Sequence, residues 1–155
     1  MKVVNFLGSA IIGLIFFLSG CDNDEACLSN QNSAQVKMYS AWSEDDRDST
    51  LSNVSLVGID RTDSVYSDQT LSELFMPLDF ESDTTTFVLS AQTLKDTISF
   101  VHSSELDFIS GECGYIFSFE IDTFMHTDAF IDSAAIEHPF IEYGESVENI
   151  KLYIY

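Results

Sequence analysis

Positive charge is what this chain has least of. Six Lys and Arg stand against 26 Asp and Glu, a formal net charge of −20. The cations Lys2, Lys37, Arg47, Arg61, Lys95 and Lys151 are scattered and form no patch. Such a field repels phosphate backbones and anionic surfaces, so nucleic acid is not expected as a partner. Acids spread over turns and strand faces have a plainer role, keeping an aromatic-rich chain soluble.

Catalytic signatures are also missing. His102, His126 and His138 stand apart, with no His-x-His or His-Glu-x-x-His spacing to hold a metal. No Gly-x-Ser-x-Gly elbow presents a serine nucleophile, and no glycine-rich loop is shaped to cradle phosphate. Carboxylates are plentiful, but sequence cannot set two of them across a cleft. The chain therefore reads as non-enzymatic, with a paired-carboxylate hydrolase of envelope polysaccharide as the alternative.

What is present begins at the amino end. Lys2 precedes a mostly Val, Leu, Ile and Phe run over 3–18, closed by Leu18-Ser19-Gly20-Cys21 and then acidic, polar sequence. A positive start, a short apolar stretch and small residues before a cut are the grammar of a signal peptide. The run falls short of the roughly 20 residues that span a bilayer. Leu18-Ser19-Gly20-Cys21 resembles the lipobox of bacterial lipoproteins. That resemblance implies removal of residues 1–20, lipid on Cys21, and a domain tethered to the outer membrane. Acids just after the cysteine resemble the signals that carry some such lipoproteins to the cell surface, so periplasmic face and surface both stay open.

With Cys21 assigned to lipid, Cys27 and Cys113 remain as an even pair in a disulfide-permissive compartment, and they are predicted to be bonded. The alternatives are two buried thiols or a Cys113 nucleophile, although no histidine is placed beside it. Residues 21–33 read as a polar tether and 34–155 as one domain.

The domain is written in β grammar. Strand-like runs recur at 34–42, 53–60, 72–79, 84–91, 96–102, 113–122, 129–138 and 149–155, rich in β-branched and aromatic residues and bounded by Asp, Ser, Gly or Asn. Tyr115, Phe117, Phe119 and Ile121 alternate with Ser118, Glu120 and Asp122, and Cys113 shares the apolar parity. Ile150, Leu152 and Ile154 point one way; Lys151, Tyr153 and Tyr155 point the other. No helical stripe or internal repeat interrupts this. The expected fold is all-β: an antiparallel β-sandwich, immunoglobulin-like or related, with a small β-barrel as the alternative.

Met76-Pro77-Leu78-Asp79, Asp96-Thr97-Ile98-Ser99-Phe100, Glu112-Cys113-Gly114-Tyr115 and Glu148-Asn149-Ile150-Lys151-Leu152-Tyr153 resemble small Bacteroidetes lipoproteins of domain of unknown function family 6452. The resemblance matches an early cysteine to Cys27 and a Cys-Gly to Cys113 and Gly114, which adds support for their disulfide. It implies location and fold, and brings no activity, cofactor or catalytic residue.

Two acidic clusters raise the question of calcium, which takes six to eight oxygens. Asp22-Asn23-Asp24-Glu25 is one; Glu44, Asp45, Asp46 and Asp48 form the weak cation candidate of the domain, without EF-hand spacing. No cofactor is otherwise expected. Asp63-Ser64-Val65, Asp96-Thr97-Ile98 and Asp132-Ser133-Ala134 look like short O-glycosylation motifs, in a chain where chance matches are expected. The favoured function is a lipid-anchored binding or accessory module for an envelope protein or glycan, touching its partner through Trp42 in the 42–50 loop and through Tyr153 and Tyr155.

Overall fold

The computed structural model describes Cys27 and residues 32–155. Cys21, the lipobox and the first acidic cluster lie outside the described residues. Among the described residues ten strands follow in order: β1 (Ser33–Ser40), β2 (Leu51–Gly58), β3 (Ser64–Leu71), β4 (Glu73–Pro77), β5 (Thr84–Ala91), β6 (Leu94–Ser110), β7 (Gly114–His126), β8 (Ile131–Ile136), β9 (Phe140–Ile141) and β10 (Ile150–Ile154). They form a four-stranded sheet, β4-β1-β10-β8, and a six-stranded sheet, β3-β2-β5-β6-β7-β9. Every pairing is antiparallel except β1 with β10. Both sheets keep free edges, which makes the molecule a β-sandwich and rules out the barrel.

Period-two patterning supplies the core. Ala34, Val36 and Met38 of β1 and Ile150, Leu152 and Ile154 of β10 turn inward from one sheet, meeting Leu56, Leu89, Ile98 and Phe100 of the other. Each of these side chains larger than alanine contributes about 1.5–3 kcal/mol on burial. The immunoglobulin hallmarks are absent: Trp42 is exposed rather than central, and the disulfide lies outside the two-sheet core.

Several segments depart from the sequence expectation. β3 was not anticipated, because its Tyr66-Ser67-Asp68-Gln69 stretch is polar; it lies at a sheet edge with little to bury. Its register against β2 is irregular, and Asn53 and Asp68 both adopt left-handed φ angles, joined by an Asn53 Nδ2 to Asp68 bond of 2.8 Å. Such bulges keep an edge from pairing with another chain. Trp42 sits past the end of β1 in a turn. β6 and β7 both run well beyond the expected 96–102 and 113–122, the largest departure.

Those extensions make a two-stranded ribbon. β5 pairs with β6 only up to Val101, and β9 touches β7 only at Phe119 and Glu120. From Ser103 to Ser118 the two strands pair with each other alone. A three-residue turn over 111–113 joins them, with Gly114 at φ 72° and the Ser110 hydroxyl accepting the N–H of Cys113 at 3.0 Å. Cys113 is in this turn and half-buried, so its sulfur does not enter the core as its parity suggested.

Two buried polar residues lock the sandwich together. Asp96 accepts the Thr127 hydroxyl at 2.6 Å and the backbone N–H groups of Ala129, Phe130 and Ile131 at 2.8–3.0 Å, fixing the approach to β8. Burial pushes its carboxyl up, but those four donors outweigh burial and hold it below the ordinary carboxylate range. Asn149 accepts the N–H of Gln35 and donates its amide to the carbonyls of His138 and Phe140, each at 2.9 Å, tying β1, β9 and β10.

His102 is a third buried polar group, its Nε2 paired with the Thr85 hydroxyl at 2.8 Å and its ring edge-on to Phe119. Burial lowers its pKa against the opposing pull of Asp79, Asp83 and Asp122, so the folded state favours the neutral ring. Its stabilisation is complete above the unfolded value of 6.5 and is lost as pH falls from there through the lower folded value. Urea melts between pH 7 and 5 should show this loss, and His102→Leu should flatten it; an unchanged slope would remove His102 as its cause.

Candidate functional site

The outer face of the four-stranded sheet gathers the residues singled out in the sequence. β1 and β10 run in parallel register, which sets Lys37 opposite Lys151 and Tyr39 opposite Tyr153. Like charges placed opposite one another destabilise a sheet unless compensated. The 41–50 loop compensates them by folding back along β1, through Ser40 N–H to Arg47 O and Ser49 N–H to Met38 O, both 2.9 Å. It delivers Asp48 to Lys37 at 3.1 Å and Asp46 to Lys151 at 2.8 Å, while Glu137 reaches Lys151 at 3.4 Å. Hydrogen bonding to Asp48 raises Lys37, and hydrogen bonding to Asp46 raises Lys151.

The tyrosines are drawn into the same network. Tyr39 is buried although its parity is outward, because Tyr153 packs on it at 5.9 Å and the ammonium groups of Lys37 and Lys151 lie 5.3 and 5.9 Å from its ring. Its hydroxyl donates to Glu148 at 3.1 Å. Tyr153 donates to Asp46 at 2.8 Å, and Asp46 is held below its usual range first by Lys151 and then by Tyr153.

At the end of β10 the chain presents two open rings. Trp42 is 79 % exposed and Tyr155 59 %, and their centroids stand 5.4 Å apart at 55°. Backbone bonds aim them: Ala41 N–H to Ile154 O at 2.9 Å, and Tyr155 N–H to Phe130 O at 3.1 Å. The Tyr155 hydroxyl donates to Asp132, a bond that lowers the carboxyl and raises the phenol. The three contact residues anticipated from sequence, Trp42, Tyr153 and Tyr155, thus share one end of one face, with carboxylates on either side. Asp46 belongs to the 42–50 loop already singled out, though as a cation candidate; Tyr39 and Asp132 were missed as parts of the face. Asp132 was noted only within a glycosylation-like motif, with nothing local to tie it to Tyr155, whereas the parity of Tyr39 with Lys37 could have placed it outward.

The cation candidates are used differently from one another. Asp46 and Asp48 are engaged by lysines, and Glu44 and Asp45 stand exposed. Among the described residues no group of three or more His, Cys, Asp or Glu side chains gathers as a metal site. Of the three glycosylation-like motifs, Asp96-Thr97-Ile98 begins on the buried carboxylate described above.

A separate groove of about 450 Å³ opens between the β2–β3 and β4–β5 turns, rimmed by Asp60, Arg61, Asp63, Asp79 and Phe80. Asp79 serves its own turn there, accepting the Glu81 N–H at 3.0 Å. Nothing in the groove favours the paired-carboxylate hydrolase. Among the described residues no helix is long and apolar enough to cross a membrane.

The model of a family described as "Family of unknown function (DUF6452)" matches residues 53–154, from β2 through β10. No curated protein and no solved structure matches the chain.

Proposed function

The chain belongs to the DUF6452 family, whose function is unknown, and we propose from its own geometry that it is a lipid-anchored, non-catalytic module that binds an envelope protein or glycan. The observation that carries this reading is the convergence of Trp42 and Tyr155, two exposed rings in contact at 5.4 Å and fixed from behind by backbone bonds. Large exposed aromatics held rigid by their neighbours lose little freedom on binding, which suits them as contact anchors. Asp132 on the Tyr155 hydroxyl and Asp46 on the Tyr153 hydroxyl give this end an acidic flank, suited to hydroxyls or to a cationic segment of a partner.

Cys21 supplies the anchor in this reading. The lipobox and the Cys27–Cys113 disulfide, which belongs in an oxidising compartment, support export. The anchor sits in the outer membrane, and protease shaving of intact cells assigns the face: a surface domain is cleaved, a periplasmic one survives. The reading calls for no cofactor.

Crosslinking pull-down from envelopes tests the module. The wild-type chain should recover one stable partner, and Trp42→Ala with Tyr155→Ala should cut that recovery about tenfold. Both rings are exposed, so the fold should change by no more than about 0.5 kcal/mol. Recovery of nothing beyond abundant lipoproteins, or equal recovery by the variant, overturns the reading.

A further inference from the structure

The apolar row of β7 does not stop where the sandwich stops. In the ribbon, Leu106 lies opposite Phe117 and Phe108 opposite Tyr115, so all four share one face. That face continues the inner face of the six-stranded sheet, where Phe119 and Ile121 are buried. Phe80 stacks on Phe117 at 4.5 Å and closes the edge of the core. Beyond it the second sheet has ended, leaving Leu106 52 %, Phe108 61 % and Tyr115 66 % exposed. Phe108 and Tyr115 touch each other at 5.2 Å. Glu105 and Asp107 alternate onto the other face together with Ile116, which lies opposite Asp107, and there Asp107 accepts the Ser118 hydroxyl at 2.5 Å. Glu105, Asp107 and Ser118 thus sit on one face, and the other is wholly apolar from Leu106 to Phe108 and from Tyr115 to Phe117, with three of its four side chains uncovered.

Its position relative to the anchor selects what covers it. The Cys27–Cys113 bond brings Cys27 to the ribbon's own turn, Cα to Cα 5.5 Å. Cys27 is six residues from Cys21, a span of at most about 21 Å when fully extended. At the other end of β1 the order is reversed. Asn32, just before β1, donates to Phe117 O at 2.5 Å at the base of the ribbon, while Trp42 follows β1 about 26 Å further along at strand rise. The chain thus has an anchored pole with the open apolar ribbon and a distal pole with Trp42 and Tyr155.

We propose that the ribbon over 103–118 seats Leu106, Phe108 and Tyr115 in the interfacial layer of the bilayer that carries the Cys21 lipid. Aromatic side chains favour that layer, with the ring in the acyl boundary and the hydroxyl among headgroups. The surrounding Glu105, Asp107 and Glu112 favour zwitterionic over anionic headgroups. The ribbon then acts as a second contact beside the lipid, sets the tilt of the domain and points the aromatic pole away from the membrane. This rests on the lipid-anchor reading of Cys21.

The full lipidated chain in zwitterionic phosphatidylethanolamine–phosphatidylcholine vesicles tests it, with lipids brominated near the headgroup as quencher. Wild type reports from Trp42, its only indole; a Trp42→Phe, Phe108→Trp double variant reports from the ribbon. The expected result is about twofold quenching of the ribbon indole and none of Trp42. If the chain floats with the vesicles and the ribbon indole is unquenched, the proposal fails while the anchor stands. A blue-shifted indole that bromolipid does not reach would mean a second copy covers the face, which also overturns it. If mass analysis finds no lipid on Cys21 and the chain does not float, both readings fail together.

Discussion

The Asp96→Ala variant is expected to lose about 4 kcal/mol of folding stability, a large share of the margin of an ordinary domain. The size follows from what is left behind. Removing the carboxylate strands the backbone N–H groups of Phe130 and Ile131 as buried donors and takes the acceptor from the more exposed Thr127 hydroxyl and Ala129 N–H. Each of the two buried donors costs about 1–3 kcal/mol, the two exposed ones regain water and add less, and sharing one site keeps the costs from simply adding. The melting point should fall by about 10–15 °C. Asp96→Asn keeps the shape but offers one acceptor oxygen and turns an NH₂ toward donors, so it should recover only part of the loss. Because the folded carboxyl titrates below its unfolded value of 3.8, its contribution is present above that value and is lost as pH falls through the folded one. The variant should therefore unfold in acid with a shallower slope. A loss under about 1 kcal/mol would show that the β7–β8 segment reaches its place without this acceptor.

The second large effect belongs to the disulfide. The bond closes a loop across a sequence separation of 86 residues, for which the chain-entropy model gives about 4–5 kcal/mol and typical removals cost about 2–5. Cys27→Ser with Cys113→Ser should lower the denaturation midpoint and, because the unfolded chain is freed to expand, raise the m-value. The damage should also be local in order of appearance. A two-stranded ribbon alone in water is marginal, so amides over 103–118 should lose exchange protection before those of β5 and the first half of β6. Equal loss across both regions would mean that the ribbon and the sandwich open as one unit.

How much of this was legible beforehand depended on what periodicity can report. The alternation in β10 read correctly because both its faces are occupied, one by core and one by the Lys151–Asp46 and Tyr153–Asp46 contacts. In β7 the same alternation was equally clear, and Phe119 and Ile121 are indeed inside, yet Tyr115 is largely in the open. A period of two says which residues share a face; it cannot say how far the opposing sheet extends. β3 failed for the complementary reason, since a polar edge strand buries too little to leave a pattern. The disulfide was accessible by pairing the two remaining cysteines. Trp42, Tyr153 and Tyr155 were named individually, but their meeting depends on β1 and β10 lying side by side, a long-range pairing that no local window contains. Asp96 and Asn149 lay inside noted motifs without being recognised as locks, because a buried polar residue looks in sequence like any turn-former.

The parallel neighbours β1 and β10 also govern when folding can finish. The Gln35–Asn149 bond spans 114 residues, so the four-stranded sheet stays split until the last of its strands has emerged. Topologies dominated by such distant contacts fold slowly, because loop entropy is spent before the contacts form. A chain that leaves its channel amino end first can form the β2–β3, β5–β6 and β6–β7 hairpins in turn, but β1 must wait with one edge empty. During that interval the backbone groups of β1 that later pair with β10 stay open, making β1 the segment through which an incomplete chain would aggregate or recruit a chaperone.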